Sequence, residues 1–307
     1  MPDDEKWSPK RRPTDELVKA EVEALLEMWR GVHTMWGERE SLRDGTYDIW
    51  AGLSDAEKAQ RPVYHSARAA AYINKYAGKL LTYSPKFRRN PKKGGVATAE
   101  DKTKADMLVE PWLKAMWEEA SQAEHVPLGY QLGVYLGMFN FAVLEGPVVD
   151  ELEPPAGEKF WDPLRLTVPH PGSVLLNPFE RKLSLVVKRG VWFVRDLLAM
   201  AEERGGRDER TVVGALGLTF LKPYEAIQCY EYWTEVWHAF MVEDKGLLYV
   251  EPNDWEFIPF QYGFGHFGQR RLPPEKGGVG STANDLMAMC TGILEPIKDD
   301  IKLEDKR

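Results

Sequence analysis

A run of nineteen uncharged residues, from Val126 to Leu144, most constrains the fold of this chain. Glycine recurs within it at every fourth position, at Gly129, Gly133 and Gly137. On a helix, this spacing places the three glycines on one face, which another helix can approach closely. Three interpretations are open at this point: a membrane span, the buried central helix of a folded domain, or a close contact between subunits.

The composition of the run favours a buried helix over a membrane span. Its length only meets the lower limit for crossing a bilayer. Pro127, Gln131, Asn140 and the glycines also dilute its hydrophobicity. No Lys or Arg follows the run until Lys159, so the positive charges that usually mark the cytoplasmic end of a span are missing. We therefore predict a buried helix that leads into a strand, and no membrane association.

Overall composition indicates a globular chain without a disulfide framework. At 307 residues, 43% hydrophobic and 29% charged, the chain is long enough for about two domains. Its two cysteines, Cys229 and Cys290, supply neither a disulfide framework nor zinc-ligand spacing, which is typical of a reducing cytoplasm. The net charge of −8 argues against a surface that is basic throughout, although local basic patches remain compatible with it.

Periodicity divides the chain into helical and mixed regions and predicts an α+β fold. The segments are a disordered tail at 1–13, a helical region at 14–125, an α+β region at 126–265, a Gly/Pro connector at 266–280, and a helix at 281–307. The first helix is predicted from apolar residues spaced by four and three, which is typical of packing along one stripe: Val18, Val22, Leu25, Trp29, Val32 and Trp36. After the glycine-containing helix the period becomes two, which predicts strands and a hairpin turn at Asp244-Lys245-Gly246.

The C-terminal residues carry a second helical stripe. From Ser281, the apolar positions that follow helical spacing are Leu286, Met289, Ile293, Ile297 and Ile301. This pattern predicts one long helix, kinked at Pro296 about one turn beyond Gly292. No stop signal follows before Arg307, so the helical pattern is still running where the sequence ends. The expectation is an incomplete chain, or a stripe that a neighbouring subunit must cover.

The segment KGGVGST at 276–282 resembles the nucleotide-binding loop of the MinD/ParA ATPases. Ser281 stands where the phosphate-contacting lysine of that loop is expected, and RRLPPE precedes the segment in place of a buried strand. The favoured interpretation is a flexible loop that ends in a helix cap at Ser281 and Thr282. A nucleotide-binding enzyme remains the alternative.

Other patterns that would indicate catalysis or metal binding are missing from the sequence. There is no G-x-S-x-G elbow, and the six histidines are scattered without metal-ligand spacing. Cys229 and His238 lie nine residues apart in a predicted strand region and need not face each other. The sequence therefore predicts no catalytic residue, no cofactor and no metal site, and nothing in it requires an enzyme.

A basic segment lies between two of the predicted helices. Five cations fall within eight residues, flanked by prolines and glycines that indicate a loop: Lys86, Arg88, Arg89, Lys92 and Lys93. One interpretation is contact with a polyanion such as DNA or an acidic partner, because five cations can neutralise several phosphates. The other is a solvated loop.

In the order of its features, the chain resembles the portal, or head–tail connector, proteins of tailed bacteriophages. The resemblance covers roughly residues 65–305 and rests on these segments in sequence: KYAGKLLTYSPKFR, LVEPWLKAMWEEA, LGVYLGMFNFAVLEGPVVDE, DPLRLTVPHPGSVLLNP, LSLVVKRGVWFVRDLLAMAEERG, YEAIQCYEYWTEVWHAFMV and EFIPFQYGFGHFG. None of these is a diagnostic motif. The matching part corresponds to the wing and the start of the stem, and the sequence stops where stem, clip and crown would follow.

The resemblance implies a structural role in a virion. It implies a closed homo-oligomeric ring of about a dozen subunits at one capsid vertex, assembled in the host cytoplasm. Double-stranded DNA would pass through the channel, driven by a separate terminase ATPase, and the ring would also contact capsid and head-completion proteins. The portal itself would perform no chemistry. The alternatives are the nucleotide-binding enzyme at 276–282, a membrane-associated helical protein using 126–149, and a virion or adaptor protein that forms no ring.

Overall fold

The computed structural model describes residues 11–81, 107, 110–123, 126–149, 164–180, 182–204, 214, 216–218, 221–267 and 279–306. The helices are α1 (Asp15–Asp44), α2 (Asp55–Lys58), α3 (Arg68–Leu81), α4 (Glu110–Ala123), α5 (Leu128–Phe139), α6 (Val194–Arg204), α7 (Val279–Met289) and α8 (Lys298–Asp305). The strands are β1 (Phe141–Val149), β2 (Leu164–Thr167), β3 (Val174–Leu176), β4 (Leu185–Phe193), β5 (Ala226–Thr234), β6 (Trp237–Val242), β7 (Gly246–Pro252) and β8 (Phe260–Phe264). The predicted α+β class is confirmed.

The strands form two antiparallel sheets, each in its own compact unit of the chain. The large-sheet unit contains the described residues of 1–33, 172–259 and 272–284, with the strand order β3-β4-β5-β6-β7. The small-sheet unit contains those of 34–171, 260–271 and 285–307, with the order β2-β1-β8. Each unit therefore draws on segments far apart in the sequence.

The large sheet is a meander of neighbouring antiparallel strands. β6 and β7 are joined at the predicted Asp244-Lys245-Gly246 turn, where Asp244 has a φ of 59° and Gly246 a φ of 122°. One face of the sheet packs against α6 through a core of apolar residues: Leu197, Ala201, Leu216, Leu218, Cys229, Phe240, Val242 and Leu248. Burial of these side chains supplies the main driving force for packing α6 on this face.

The apolar stripe predicted for the first helix is confirmed. All six of its residues, from Val18 to Trp36, are buried in α1. In the large-sheet unit, the indole N–H of Trp29 donates to the carbonyl oxygen of Leu176 at 2.8 Å. The side-chain hydroxyl of Tyr232 donates to Glu21 at 2.5 Å. The stripe buries apolar area, and these hydrogen bonds fix its register on the sheet.

The small-sheet unit is built around the glycine-containing helix predicted from the sequence. That helix, α5, ends at Phe139, and β1 begins at Phe141, so the predicted helix leads into a strand. β1 pairs with β2 and β8, and α4 packs near β2 over a core of Met116, Ala120, Leu128, Leu166 and Val168. No helix among the described residues is both long enough and apolar enough to cross a bilayer.

The prediction of one long C-terminal helix from Ser281 is wrong. α7 ends at Met289, the chain turns, a short 3-10 turn spans Glu295–Ile297, and α8 follows. The helix ends because the backbone of the next residues bonds to another element: Ile293 N–H donates to the carbonyl oxygen of Gly137 at 2.8 Å. α8 then packs within the small-sheet unit, where Ile301 is buried and Asp305 accepts hydrogen bonds from the Tyr47 hydroxyl and Ser66 N–H. The apolar stripe is therefore split between two helices, and Ile301 is covered within the same unit.

Candidate functional site

The glycine face of α5 packs against α3 of the same chain. A Cβ placed on Gly133 would lie 2.8 Å from the Cα of Ala77, and one on Gly137 would lie 3.0 Å from Cδ1 of Tyr76. Gly129 lies in the first turn of α5 and is half-buried. Because the obstacle at Gly133 is backbone, it cannot move aside as the end of a flexible side chain can. The two helices therefore approach each other at a distance that requires glycine.

Replacing Gly133 with leucine should lower the free energy of unfolding by about 1–3 kcal/mol, because the added side chain overpacks the α3–α5 contact. Denaturant unfolding of the purified variant measures this change. Gly78→Ala on α3 is the matched control, since a Cβ there meets nothing within 4 Å. An unchanged midpoint for Gly133→Leu would contradict the close contact.

The C-terminal end of α5 is held by Asn140, which adopts a left-handed conformation with φ 55°. Its side-chain Nδ2 donates to the carbonyl oxygen of Met289 at 2.6 Å, and its Oδ1 accepts from Phe267 N–H at 3.0 Å. Its backbone N–H donates to Leu136, and its carbonyl accepts from Gly265 N–H. One buried amide thus joins α5, the end of β8 and the end of α7.

Arg39 closes the same helix end from α1. We call Arg39, Asn140, Gly292, Ile293 and Glu295 the helix-end cluster. The Arg39 guanidinium donates to the carbonyl oxygens of Cys290 at 2.7 Å and Met138 at 3.4 Å, and to Glu295 Oε2 at 3.0 Å. Burial lowers the pKa of Arg39, and the hydrogen bond and charge of Glu295 partly offset this. The last carbonyls of α5, which have no partner within the helix, are satisfied by this cluster.

A row of alternating charges crosses the large sheet. Lys188 on β4 lies opposite Glu231 on β5, and His238 on β6 lies opposite Glu251 on β7. His238 links the two acids: its Nδ1 lies 2.9 Å from Glu251 Oε1, and its Nε2 lies 3.1 Å from Glu231 Oε1. The Trp233 ring stacks on the imidazole with a centroid distance of 3.7 Å. We call Lys188, Glu231, His238 and Glu251 the charge row.

Burial and pairing act in opposite directions on the charge row. Burial disfavours the imidazolium, but the hydrogen bonds and charges of Glu231 and Glu251 outweigh it and raise the pKa of His238. Burial likewise opposes ionisation of Glu231, yet the bond from His238 and the charge of Lys188 hold its pKa below the usual value. Both shifts favour the ionised forms, a charged histidine beside a carboxylate.

The two cysteines do not form a nucleophilic site with His238. Cys229 lies on β5 opposite Val242, four residues along the strand from Trp233, which lies opposite His238. Burial and the nearby Glu243 raise the pKa of Cys229 to about 12. Burial also raises the pKa of Cys290. Reactive cysteines have lowered pKa values, so both thiols have the character of core residues.

A groove of about 400 Å³ lies between the start of α1 and the β6–β7 hairpin. Its lining combines apolar side chains with several carboxylates, and two of these hold the hairpin in place. Asp15 accepts from Leu247 N–H at 3.0 Å, and Glu243 accepts from the Tyr230 hydroxyl at 2.5 Å. Burial and this bond raise the pKa of Tyr230. These acids therefore connect the hairpin to the helix and to β5.

An exposed apolar patch lies at the end of β4. Val191 is 66% exposed, Phe193 44%, and the nearby Tyr224 72%. The guanidinium of Arg195 lies 5.2 Å from the Tyr224 ring centroid and 5.9 Å from that of Phe193. Among the described strands, β3 pairs with β4 only from Val186 to Lys188, so the end of β4 is paired on its β5 side alone. Aromatic residues and arginine are the types enriched in protein interfaces.

Several predicted features lie outside the described residues. These are the basic segment, with Lys86, Arg88, Arg89, Lys92 and Lys93, and the first part of the 276–282 loop. α7 begins at Val279, two residues before the helix start predicted at Ser281. In the part of the chain that the structure describes, no group of three or more His, Cys, Asp or Glu side chains is arranged to hold a metal ion.

The predictions from the sequence did not include the helix-end cluster or the charge row. The sequence nevertheless contains one residue in each of them that stands out from its neighbours. Arg39 falls three residues after Trp36, on the continuation of the apolar stripe of α1, where a charged side chain must be buried. His238 occupies the same alternating positions of β6 as the buried Phe240 and Val242. A charged residue on an otherwise apolar face is the pattern that marks such sites.

No protein family model matches the chain, and no curated protein sequence matches it. The function is therefore argued from the features of the chain itself.

Proposed function

We propose that the chain is a structural subunit of portal type, which assembles with copies of itself into a ring at a capsid vertex. In this proposal double-stranded DNA passes through the ring, and the subunit performs no chemistry of its own. The proposal rests on the order of sequence features that resembles portal proteins. It treats the two sheet-containing units as the wing region of the subunit.

The observation that carries self-association is the exposed apolar patch at the end of β4. Monomeric proteins seldom leave adjacent large apolar side chains in water, and here Val191, Phe193 and Tyr224 are all at least 44% exposed. The guanidinium of Arg195 lies over the rings of Phe193 and Tyr224. Arginine and tyrosine are both enriched among the residues that contribute most to binding at protein interfaces. Burial of this patch against a neighbouring subunit would remove it from water.

Ring formation by the purified full chain tests the proposal. We expect negative-stain images to show rings with a central hole, and mass photometry to show one dominant multiple of the subunit mass. Replacing Val191 and Tyr224 with serine should shift the particles to smaller species while leaving the circular dichroism spectrum unchanged, because these two side chains are 66% and 72% exposed. Phe257→Ser is the matched control, since Phe257 is 42% exposed in the same unit but outside the patch.

The alternatives predict different particle masses and images. A chain that stays monomeric at all concentrations, or that forms open or irregular particles without a central hole, would contradict the ring. If rings persist unchanged in the Val191→Ser/Tyr224→Ser variant, the chain forms a ring but the patch is not part of its subunit interface.

A further inference from the structure

We propose that Glu231, His238 and Glu251 form a proton-dependent contact that holds the edge strand β7 on the large sheet while His238 is protonated and releases the end of β7 when His238 loses its proton. The three groups lie on the adjacent strands β5, β6 and β7, and β7 is the last strand of the sheet. A change in the protonation of one imidazole therefore acts on the pairing of an edge strand.

The geometry requires the charged form of histidine. A neutral imidazole carries one N–H and can donate only one hydrogen bond. In the structure both ring nitrogens of His238 face carboxylate oxygens, Nδ1 at 2.9 Å from Glu251 and Nε2 at 3.1 Å from Glu231. Both contacts are hydrogen bonds at the same time only when both nitrogens carry a proton.

The surrounding groups favour this charge. The described titratable groups that face His238 are Glu231 on β5, and Glu251 and Tyr249 on β7, whose hydroxyl lies 3.5 Å from Nε2. Lys188 on β4 lies on the far side of Glu231 and acts on that acid. The stacked Trp233 ring adds a face that attracts a cation.

Loss of the proton should release Glu251 rather than Glu231. The Glu231 side chain is 22% exposed and the Glu251 side chain 37%, so Glu251 is the acid that water can solvate more readily. Among the described strands, β7 pairs with β6 alone, so no strand on its other side holds it when Glu251 is released. The end of β7 from Tyr249 to Pro252 is therefore the segment expected to open.

The pH dependence has a defined sign. The pKa of His238 is raised in the folded chain, above its value of about 6.5 in an unfolded chain. The contribution to stability is then complete below the unfolded pKa and is lost as pH rises through the folded pKa. A rise in pH through the folded pKa of His238 should therefore weaken the contact.

Hydrogen exchange of the full chain, measured from slightly acidic to alkaline pH, tests the proposal. The exchange times are scaled to the intrinsic exchange rate at each pH. We expect the protection of peptides covering 246–252 to fall several-fold between slightly acidic and alkaline pH, relative to peptides covering 226–234. In His238→Gln, which cannot gain or lose a proton, the ratio of the two protections should be independent of pH. A pH-independent ratio in the wild type, or the same pH dependence in His238→Gln, would overturn the proposal.

A second variant keeps the test decisive if His238→Gln fails to fold. Glu251→Gln keeps a side-chain oxygen that accepts a hydrogen bond but removes one of the charges that raise the His238 pKa. The loss of protection should then move to lower pH than in the wild type, and the His238 resonances should titrate at lower pH in NMR spectra. An unchanged or higher pH of transition in Glu251→Gln would overturn the proposal.

Discussion

Replacing Gly292 with alanine should lower the free energy of unfolding by about 3 kcal/mol or more, because backbone atoms occupy the place of the added methyl group. A Cβ at this position would lie 2.5 Å from the carbonyl carbon of Met138 and closer still to its oxygen. The backbone at Gly292 and the backbone at the end of α5 cannot move apart, because Ile293 N–H donates a hydrogen bond to the Gly137 carbonyl oxygen beside the contact. Thermal or denaturant unfolding of the purified variant measures the change.

Gly37→Ala is the matched control for Gly292→Ala. Gly37 lies inside α1, and a Cβ there meets nothing within 4 Å. Alanine at an unhindered helical position should raise stability by about 0.5–1 kcal/mol, because it reduces the entropy lost on folding. The same substitution should thus change stability in opposite directions at the two glycines. A neutral Gly292→Ala would show that residues 290–294 do not cross the end of α5 as described.

Replacing Arg39 with methionine should lower the free energy of unfolding by about 3 kcal/mol. Methionine fills much of the space but removes the guanidinium donor from the carbonyl oxygens of Met138 and Cys290 and from Glu295. The Cys290 carbonyl then keeps only the Trp36 indole N–H at 3.4 Å, and Glu295 keeps Lys298 at 2.7 Å. An unpaired buried acceptor costs about 1–3 kcal/mol. The Glu295 side chain is 30% exposed, so water can solvate it in the variant. Glu295 therefore contributes less to the loss of stability than the two carbonyl oxygens.

Arg43→Met on the same helix is the control, and its expected effect is close to zero. The Arg43 side chain is 35% exposed, and its contact with Asp44 is 3.9 Å long on the surface. Glu295→Gln distinguishes the roles of charge and hydrogen bonding, because it keeps an acceptor for the guanidinium. If Arg39→Met and Arg43→Met have equal effects on the unfolding midpoint, the guanidinium does not hold the helix end.

The helices, strands and turns that could be predicted from the sequence are those determined by residues close to one another in the chain. The stripe of α1, the strand that follows the glycine-containing helix and the turn at Asp244-Lys245-Gly246 each follow from periodicity or turn chemistry among neighbouring residues. The glycine spacing also identified the face of α5 that α3 approaches, although the sequence left open whether the neighbour was a helix of the same chain.

The C-terminal helix could not be predicted from its own residues. The pattern from Leu286 to Ile301 is helical in spacing, and only contacts with distant residues interrupt it. Arg39 binds the carbonyl of Cys290 across 251 positions of sequence, and Asn140 binds that of Met289 across 149. Tertiary hydrogen bonds of this kind override local periodicity, and the spacing of apolar residues does not reveal their partners. A charged residue on an apolar face marks Arg39 and His238 in the sequence. The partners of His238 depend on strand register, which this spacing does not determine.

The helix-end cluster also determines when this protein can fold during translation. Arg39 and Asn140 are made first, but their partners at Met289, Cys290 and Glu295 are added only after the chain has grown by 149 residues or more beyond Asn140. At about 5–20 residues per second, translation leaves the end of α5 uncovered for roughly 8–30 seconds after Asn140 is added. A nascent chain stalled before residue 289 has emerged should therefore bind chaperones more strongly than one stalled after residues 289–295 have emerged. During synthesis of this fold, the end of α5 stays exposed to solvent until a distant segment of the chain has been made.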